Sequence, residues 1–463
     1  MGIREANRLN GYTVLAERTA FRMEEPAGST CRRKPRAAGP ADCNHTGDPM
    51  KFKTRALTLA CLAALGMAQS AQAIEVAGKL LEVYGNVYPQ FQNSSYTDSV
   101  ATGVMSSNMT SGKAAAGTST FKAAPIDKTQ LNWVNSYIGW KGEKEFGDVT
   151  VGYDLQGTLA KNVEAGTSLF ADTRDAFVYV EHKTMGTVTI GQIDTIYKQY
   201  GDRLRMLGVS SSNINSTSTI VSGVGWKPNS AATTAAGTSS FNTRIGGQII
   251  YETPSMGGVK AGFSYRPDPS KTLTQDASLM AAGLKWSDSK YFIGAGYERH
   301  NDYRAFSGTG AVEAATTIYN ANPRSQDTVL RGSVGYTDGP LKLAADLSSL
   351  EYTEAAATVG KFSGYKTTAW QVSGEYSLSA NWVVAGNYAS NAAGSCSLLG
   401  GATCSTFGQG GTLLSLGGMY KFDKNIGIFA IYTLNSANES ATFASSAIGG
   451  KATNMAMGIQ VKF

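Results

Sequence analysis

One pattern repeats along this chain from residue 80 to the last residue: short segments in which every second side chain is apolar. In LEVYGNVYPQF, Leu81, Val83, Val87 and Phe91 are apolar, and Glu82, Asn86 and Gln90 alternate with them. The alternation returns in Val149, Val151, Tyr153 and Leu155 against Thr150, Asp154 and Gln156. It returns again in Val259, Ala261, Phe263 and Tyr265 against Lys260, Ser264 and Arg266. At the end, Met455, Met457, Ile459, Val461 and Phe463 share one face, and Gln460 and Lys462 the other. Successive side chains of a strand point to opposite faces, so a period of two specifies strands with one apolar and one polar face. After residue 73 no helical period persists and no apolar run approaches the length of a membrane helix.

Sixteen such segments are read, over 80–91, 130–141, 148–159, 173–182, 187–194, 242–252, 258–267, 277–287, 290–300, 327–337, 340–351, 366–377, 381–390, 411–421, 425–435 and 452–463. Most have the length a tilted membrane strand needs. Seven connections are short (142–148, 183–186, 253–257, 287–289, 336–339, 377–380 and 422–424). The others, among them 92–129, 195–241, 301–326 and 391–410, are mostly longer and rich in Ser, Thr, Ala, Asn and Gly. Short turns at one end and long loops at the other describe an outer-membrane barrel. The expectation is an all-β protein, a transmembrane antiparallel barrel of sixteen strands whose third long loop, 195–241, folds inward. Lipid offers no partners to a sheet edge, so the first segment must pair with the last. Tyr251, Tyr265, Trp286, Tyr291, Tyr336, Tyr376, Trp382, Tyr388, Tyr420 and Tyr432 mark segment ends, where bilayer interfaces favour amphipathic rings.

The front of the chain reads differently. Met50 opens a secretory leader over 50–73: Lys51, Lys53 and Arg55 precede an apolar core over 56–68, and Ala71-Gln72-Ala73 supplies the small-residue cleavage site. Residues 1–49, Arg-rich and without periodicity, are read as a mis-assigned upstream extension or, alternatively, as an unusually long leader front. The mature barrel then covers 74–463. Of the net charge of +6, most lies in 1–73, with 11 Lys/Arg against 6 Asp/Glu, leaving 30 against 29 in the remainder. A near-neutral mature chain argues against a nucleic-acid partner. Of five cysteines only Cys396 and Cys404 survive the leader, eight apart in one polar loop, and after secretion such a pair forms a disulfide. The mature histidines, His182 and His300, are far from both, so no metal site and no cofactor is expected.

On its ordered motifs the chain resembles the general diffusion porins of Gram-negative bacteria, the betaproteobacterial type in particular. SYIGWKGEKEFG (136–147) is similar to the second-strand pattern of that family. TRDAFVYVEHKTMGTVTIGQ (173–192) resembles the fourth and fifth strands, TRIGGQIIYETPSMGGVKAGFSY (243–265) the sixth and seventh, and GIQVKF (458–463) the closing strand. The resemblance implies homotrimers in the outer membrane, in contact with lipid and lipopolysaccharide. It also implies a third loop forming the constriction, and a terminal Phe463 read by the barrel-assembly machinery. Arg174 and Arg244 match two basic wall positions of the family, while Tyr137 and Gly191-Gln192 stand where it has further bases, and its acidic loop motif has no counterpart here.

Turning the polar face inward yields a lumen without help from the family. Inward bases are Lys141, Arg174, Arg244, Lys260, Arg266, Lys285, Arg331, Lys342 and Lys421, and inward acids Glu82, Asp154, Glu298, Asp346 and Glu375. The loop adds Lys198, Arg203, Arg205 and Lys227 against Asp202, with Asp194 at its root. An excess of one sign in a narrow passage biases ion choice. These residues predict a water-filled channel for passive diffusion of ions and small hydrophilic solutes, with a weak anion preference. Rivals are a substrate-specific channel for phosphate or an organic acid and a plugged structural barrel. Neither histidine sits in a Ser/His/Asp pattern, so an enzyme is not expected. Tyr197, Tyr200 and Trp226 are read either as stacking surfaces for a solute or as anchors of the loop, and Ile138, Trp140, Phe177 and Tyr179 as outward-facing apolar residues.

Overall fold

The computed structural model describes residues 74–75, 79–97, 126–133, 135–160, 168–201, 204, 206–208, 241–242, 244–303, 320, 324–404, 411–437 and 451–463. The expectations for the extension 1–49 and the leader 50–73 concern residues outside that set. Sixteen antiparallel strands close on themselves. β1 comes in two pieces, Glu82–Val87 and Gln90–Thr97, and β2 likewise, Ile126–Asn132 and Tyr137–Phe146. There follow β3 (Val149–Leu159), β4 (Phe170–His182), β5 (Gly186–Asp194), β6 (Arg244–Glu252), β7 (Val259–Arg266), β8 (Leu279–Ser287), β9 (Tyr291–Asn301) and β10 (Ser325–Asp338). The circuit continues through β11 (Leu341–Glu354), β12 (Phe362–Ser377), β13 (Trp382–Asn391), β14 (Gly411–Lys421), β15 (Ile426–Ala437) and β16 (Lys451–Lys462).

Each strand pairs with the next, and the last returns to the first. Asn86 and Val87 face Lys462 and Val461, and Gln90 to Thr97 run against Gly458 to Lys451. Phe463 adds a reciprocal pair of backbone bonds with Gly85, at 3.0 and 3.2 Å. The break in β1 falls at Pro89, which has no N–H to give a ladder. Its carbonyl still accepts from Ile459 at 3.1 Å, and the neighbouring Tyr88 N–H donates to the buried Ser136 Oγ at 2.8 Å. Asn135, in the left-handed region at φ 57°, bends β2 at the same level, so both strands kink together and keep their partners.

Burial is inverted relative to a soluble protein. The inner face buries Gln90, Ser264, Glu298, Arg331, Asp346, Gln371, Asn387 and Thr433, while Val178, Ile190, Leu284, Ile293, Leu330, Leu347, Leu416 and Met457 are exposed on the outside. A continuous exposed apolar band is what a lipid-facing wall requires. Rings gather at its rim beside the short turns: Tyr291 lies 5.4 Å from Tyr336, and Tyr420 is 5.1 Å from both Trp382 and Phe422. Among the described residues no helix is long and apolar enough to cross a membrane.

Three of the short turns share a device. The Asp288 carboxylate accepts the N–H groups of Lys290 and Tyr291 at 2.7 and 2.6 Å, and Asp423 accepts those of Asn425 and Ile426, both at 2.7 Å. Ser379 Oγ plays the same part for Asn381 and Trp382. A short side-chain acceptor at a turn start satisfies amides that the ladder leaves over. The two backbone donors hold the Asp288 carboxyl below the usual carboxylate range.

One expectation about facing is corrected. Phe177 and Tyr179 point into the barrel: Phe177 pairs with Asp154, and the Tyr179 hydroxyl donates to Glu143 Oε2 at 3.1 Å. Val178 and Val180 take the lipid face instead. The reason is a bulge between β3 and β4 at Leu155/Gly157, which adds a residue and inverts the parity that simple alternation assigns.

Leu347, exposed near the middle of β11, tests the inverted burial. Leu347→Arg is expected to cost roughly 2–4 kcal/mol of folding stability in bilayers. Leu347→Phe is expected to be near neutral, both read by denaturant titration of folding into vesicles.

Candidate functional site

The connection from β5 to β6 begins on the inner face of the wall. Thr195 follows β5 directly, and its hydroxyl donates to Glu298 Oε2 on β9. A single helical turn, α1 (Ile196–Gln199), then seats Ile196, Tyr197 and Tyr200 at no more than 1% exposure. The seat is a patch of wall without side chains. Gly262, Gly283 and Gly296 are directly opposite one another on β7, β8 and β9, with Gly294 beside them. A Cβ built on Gly262 would come within 2.6 Å of Ile196 Cδ1, and one on Gly294 within 2.5 Å of the Tyr200 carbonyl oxygen. Glycine is required there because another backbone approaches closely.

Polar bonds fix the same turn. The Tyr200 hydroxyl donates to Glu252 Oε1 at 3.0 Å, Tyr197 Oη shares a hydrogen bond with Ser348 Oγ at 3.3 Å, and Lys285 Nζ lies 4.1 Å from the Tyr200 ring centre. At the far end of the loop Phe241 stacks 4.8 Å from His300 and 5.7 Å from Tyr352. Both roots of the loop therefore dock around Glu298 and His300, whose Oε1 and Nε2, respectively, are 2.9 Å apart. Between them, Met206 and Leu207 are buried with Val383, Met419, Phe429 and Tyr88, and the Leu207 N–H donates to Glu375 Oε2 at 3.0 Å. The described start of the loop thus touches β7–β9 at Tyr200 and β12–β15 at Leu207. Tyr197 and Tyr200 are anchors, too buried to stack on a solute, and Trp226 lies outside the described residues.

Charges line the inner face in pairs. Arg244 is bonded to Asp175 through Nε and reaches Asp194 at 3.6 Å through Nη2, and Lys198 binds Asp194 at 2.9 Å. Arg174 lies with its guanidinium 4.7 Å above the Tyr137 ring. Lys141 pairs with Glu82 at 3.0 Å, Lys260 with Glu252 at 3.2 Å and Lys342 with Glu375 at 2.7 Å. Arg266 donates to the carbonyls of Gly246 and Ala277. Arg331, expected to line the pore, faces inward but is covered. It donates twice to Asp346 Oδ1, at 2.9 and 2.7 Å, beneath Gly201, where a Cβ would meet its guanidinium carbon at 2.0 Å. Asp202, Arg203, Arg205 and Lys227 lie outside the described residues. Among the described residues no cluster of His, Cys, Asp and Glu has a metal-binding form.

The sequence profile of the Gram-negative porins matches residues 56–440. The chain belongs to the Gram-negative porin family. It is an outer-membrane channel for passive diffusion, and the charged inner face is the wall of its pore. Solved structures share the fold at low identity. The anion-selective porin from Comamonas acidovorans superposes with a TM-score of 0.57 at 16% identity, over 83% of this chain and 99% of that one. OmpF of Salmonella typhi, in complex with daunomycin, gives 0.54 at 15% identity, over 85% and 100%. OmpT of Vibrio cholerae in its trimer form gives 0.53 at 12%, over 83% and 99%. No curated protein matches significantly.

In the porin, Cys396 and Cys404 join in a disulfide across a small hairpin, Ser395–Leu398 and Thr403–Cys404, that pairs with the first residues of β12. Three pore features escaped the sequence reading. Asp175 is one: alternation with Arg174 places it outward, and the β3–β4 bulge brings it inward. Glu252, at the end of β6, collects Lys260, Lys285 and Tyr200. The glycine seat was present as Gly at inward positions of three adjacent segments, a signal readable only once their register is known.

Gly294→Ala places a methyl against the Tyr200 carbonyl and is expected to push the loop root off the wall and into the pore. Single-channel conductance should fall and its noise rise, with a stability loss of roughly 1–3 kcal/mol. Gly332→Ala, with nothing within 4 Å of the added methyl, is expected to leave both unchanged.

Proposed function

We propose that this porin is narrowed by its third loop and passes small anions more readily than cations. The observation that carries the reading is an asymmetry within the pore's ion pairs. In the pairs that reach water, the base is the more exposed partner: Lys342 is 46% exposed against 7% for Glu375, and Lys260 28% against 17% for Glu252. The same order holds for Lys141 over Glu82, Lys285 over Glu252, Arg244 over Asp175 and Lys198 over Asp194. Pore water therefore meets ammonium and guanidinium groups first, while the carboxylates sit behind them. Because nearly every base has a counter-charge, the field is modest, and the preference is weak. The contacts of Tyr200 with one side of the wall and Leu207 with the other support a constriction formed by the loop.

The wider assembly is proposed on family grounds. Three copies associate in the outer membrane through lipid-facing apolar strands, as the trimer form of the Vibrio cholerae relative suggests. Lipopolysaccharide surrounds the assembly. The closing strand with its terminal Phe463 serves as the signal to the barrel-assembly machinery, and a leader over 50–73 is removed after Ala73.

The reversal potential of bilayers holding the folded protein across a KCl gradient tests the preference. Chloride should be favoured, and Lys260→Gln with Lys285→Gln should reduce the permeability ratio by on the order of 2-fold. A cation-favouring potential in the unaltered protein would contradict the reading.

A further inference from the structure

At the end of the barrel that carries the short turns, a recess of about 440 Å³ opens between the loop and β11–β16. Four lysines line it: Lys342, Lys421, Lys424 and Lys462. Two carboxylates share the recess, and both are already engaged. Glu375 holds Lys342 Nζ at 2.7 Å and the Leu207 N–H at 3.0 Å, while Asp423 caps its own turn. Lys421, Lys424 and Lys462 make no ion pair among the described residues.

The strand register brings two of these lysines to the same end of the inner face. Lys421 closes β14 and Lys462 closes β16, both on the inner face, and β15 runs between them. The residue of β15 opposite Lys421 is Gly427, which brings no side chain of its own, while Asn425 and Gln460 complete the lining beside the two lysines. Leu204 and Leu207 of the loop cover the recess, and Val383 and Met419 form an apolar floor. Like charges that share one partly covered recess are mutually unfavourable unless a counter-ion joins them. Among the described lining residues the lysines exceed the carboxylates by two charges.

We propose that this recess binds one small doubly charged oxyanion of the size of phosphate, bridging Lys421 and Lys462, with Lys424 at the entrance. The site uses the proposed anion-favouring pore only as its access route. It turns a general anion preference into a specific stop on the short-turn side. Transient occupancy there concentrates dianions at the exit of the pore, and weak binding is compatible with passage.

The test uses the whole folded protein, with inorganic phosphate as the probe and nitrate as the singly charged control. Calorimetric titration in detergent is expected to give saturable phosphate binding at one site per chain, which nitrate at equal ionic strength does not reproduce. In bilayers, phosphate added on the short-turn side is expected to reduce chloride conductance with the same saturation. The Lys421→Gln/Lys462→Gln double variant should weaken binding about tenfold, and Lys421→Arg/Lys462→Arg should retain it. Folding of each variant is checked by heat-modifiable migration on gels. Phosphate binding unchanged in the folded glutamine variant, or nitrate binding equal to phosphate, would overturn the proposal. Calorimetry does not depend on current, so a cation-favouring reversal potential with phosphate binding intact would refute the pore preference alone. Chloride preference without phosphate binding would refute the site alone.

Discussion

Every feature of this porin depends on one requirement: in hydrocarbon no backbone N–H or C=O is left without a partner. A sheet meets that requirement only by closing, and closure here runs through the pairing of β1 with β16 and the reciprocal bonds of Phe463 and Gly85. The constraint is strict enough to shape local exceptions. Pro89 cannot donate, and the chain answers by bending β1 and β2 at one level, with Ser136 taking the Tyr88 amide. Once the ladder is closed, strand parity has no freedom left. One face meets lipid and becomes apolar, and the other encloses water and is free to hold charge.

That second freedom is what the pore uses. Carboxylates on the inner face are bonded to bases that are more exposed than they are, which is the basis of the proposed anion preference. The loop joins this wall through two different interactions on its two sides. Against β7–β9 it meets glycines, where the backbones approach closely, flanked by Lys285 and Glu298. Against β12–β15 it meets apolar side chains and the Glu375 carboxylate. Arg331 illustrates the division: a base that reads as pore lining is instead a buried strut, because Gly201 lies across it.

The barrel was largely legible in the sequence because its code is local. Alternation over ten residues marks a strand wherever it occurs, and the segments read over 366–377 and 411–421 end where β12 and β14 end. Inward bases such as Lys260 and Lys342 followed from the same alternation. Where the reading failed, the cause was not local. Phe177 and Tyr179 were given the wrong face because a bulge opposite Gly157 shifts parity, and a bulge leaves no mark in an alternating string. The glycine seat depends on the register of three strands, and the burial of Arg331 on a loop residue 130 positions away in the chain.

The measurement that bears most directly on this account is the single-channel current of the folded protein in planar bilayers. A water-filled pore with a loop across it predicts discrete, long-lived conductance steps that rise in proportion to salt, and that appear in threes if the trimer forms. Folded protein that inserts but carries no current would contradict the account, because the described loop and lysines would then close a plugged barrel.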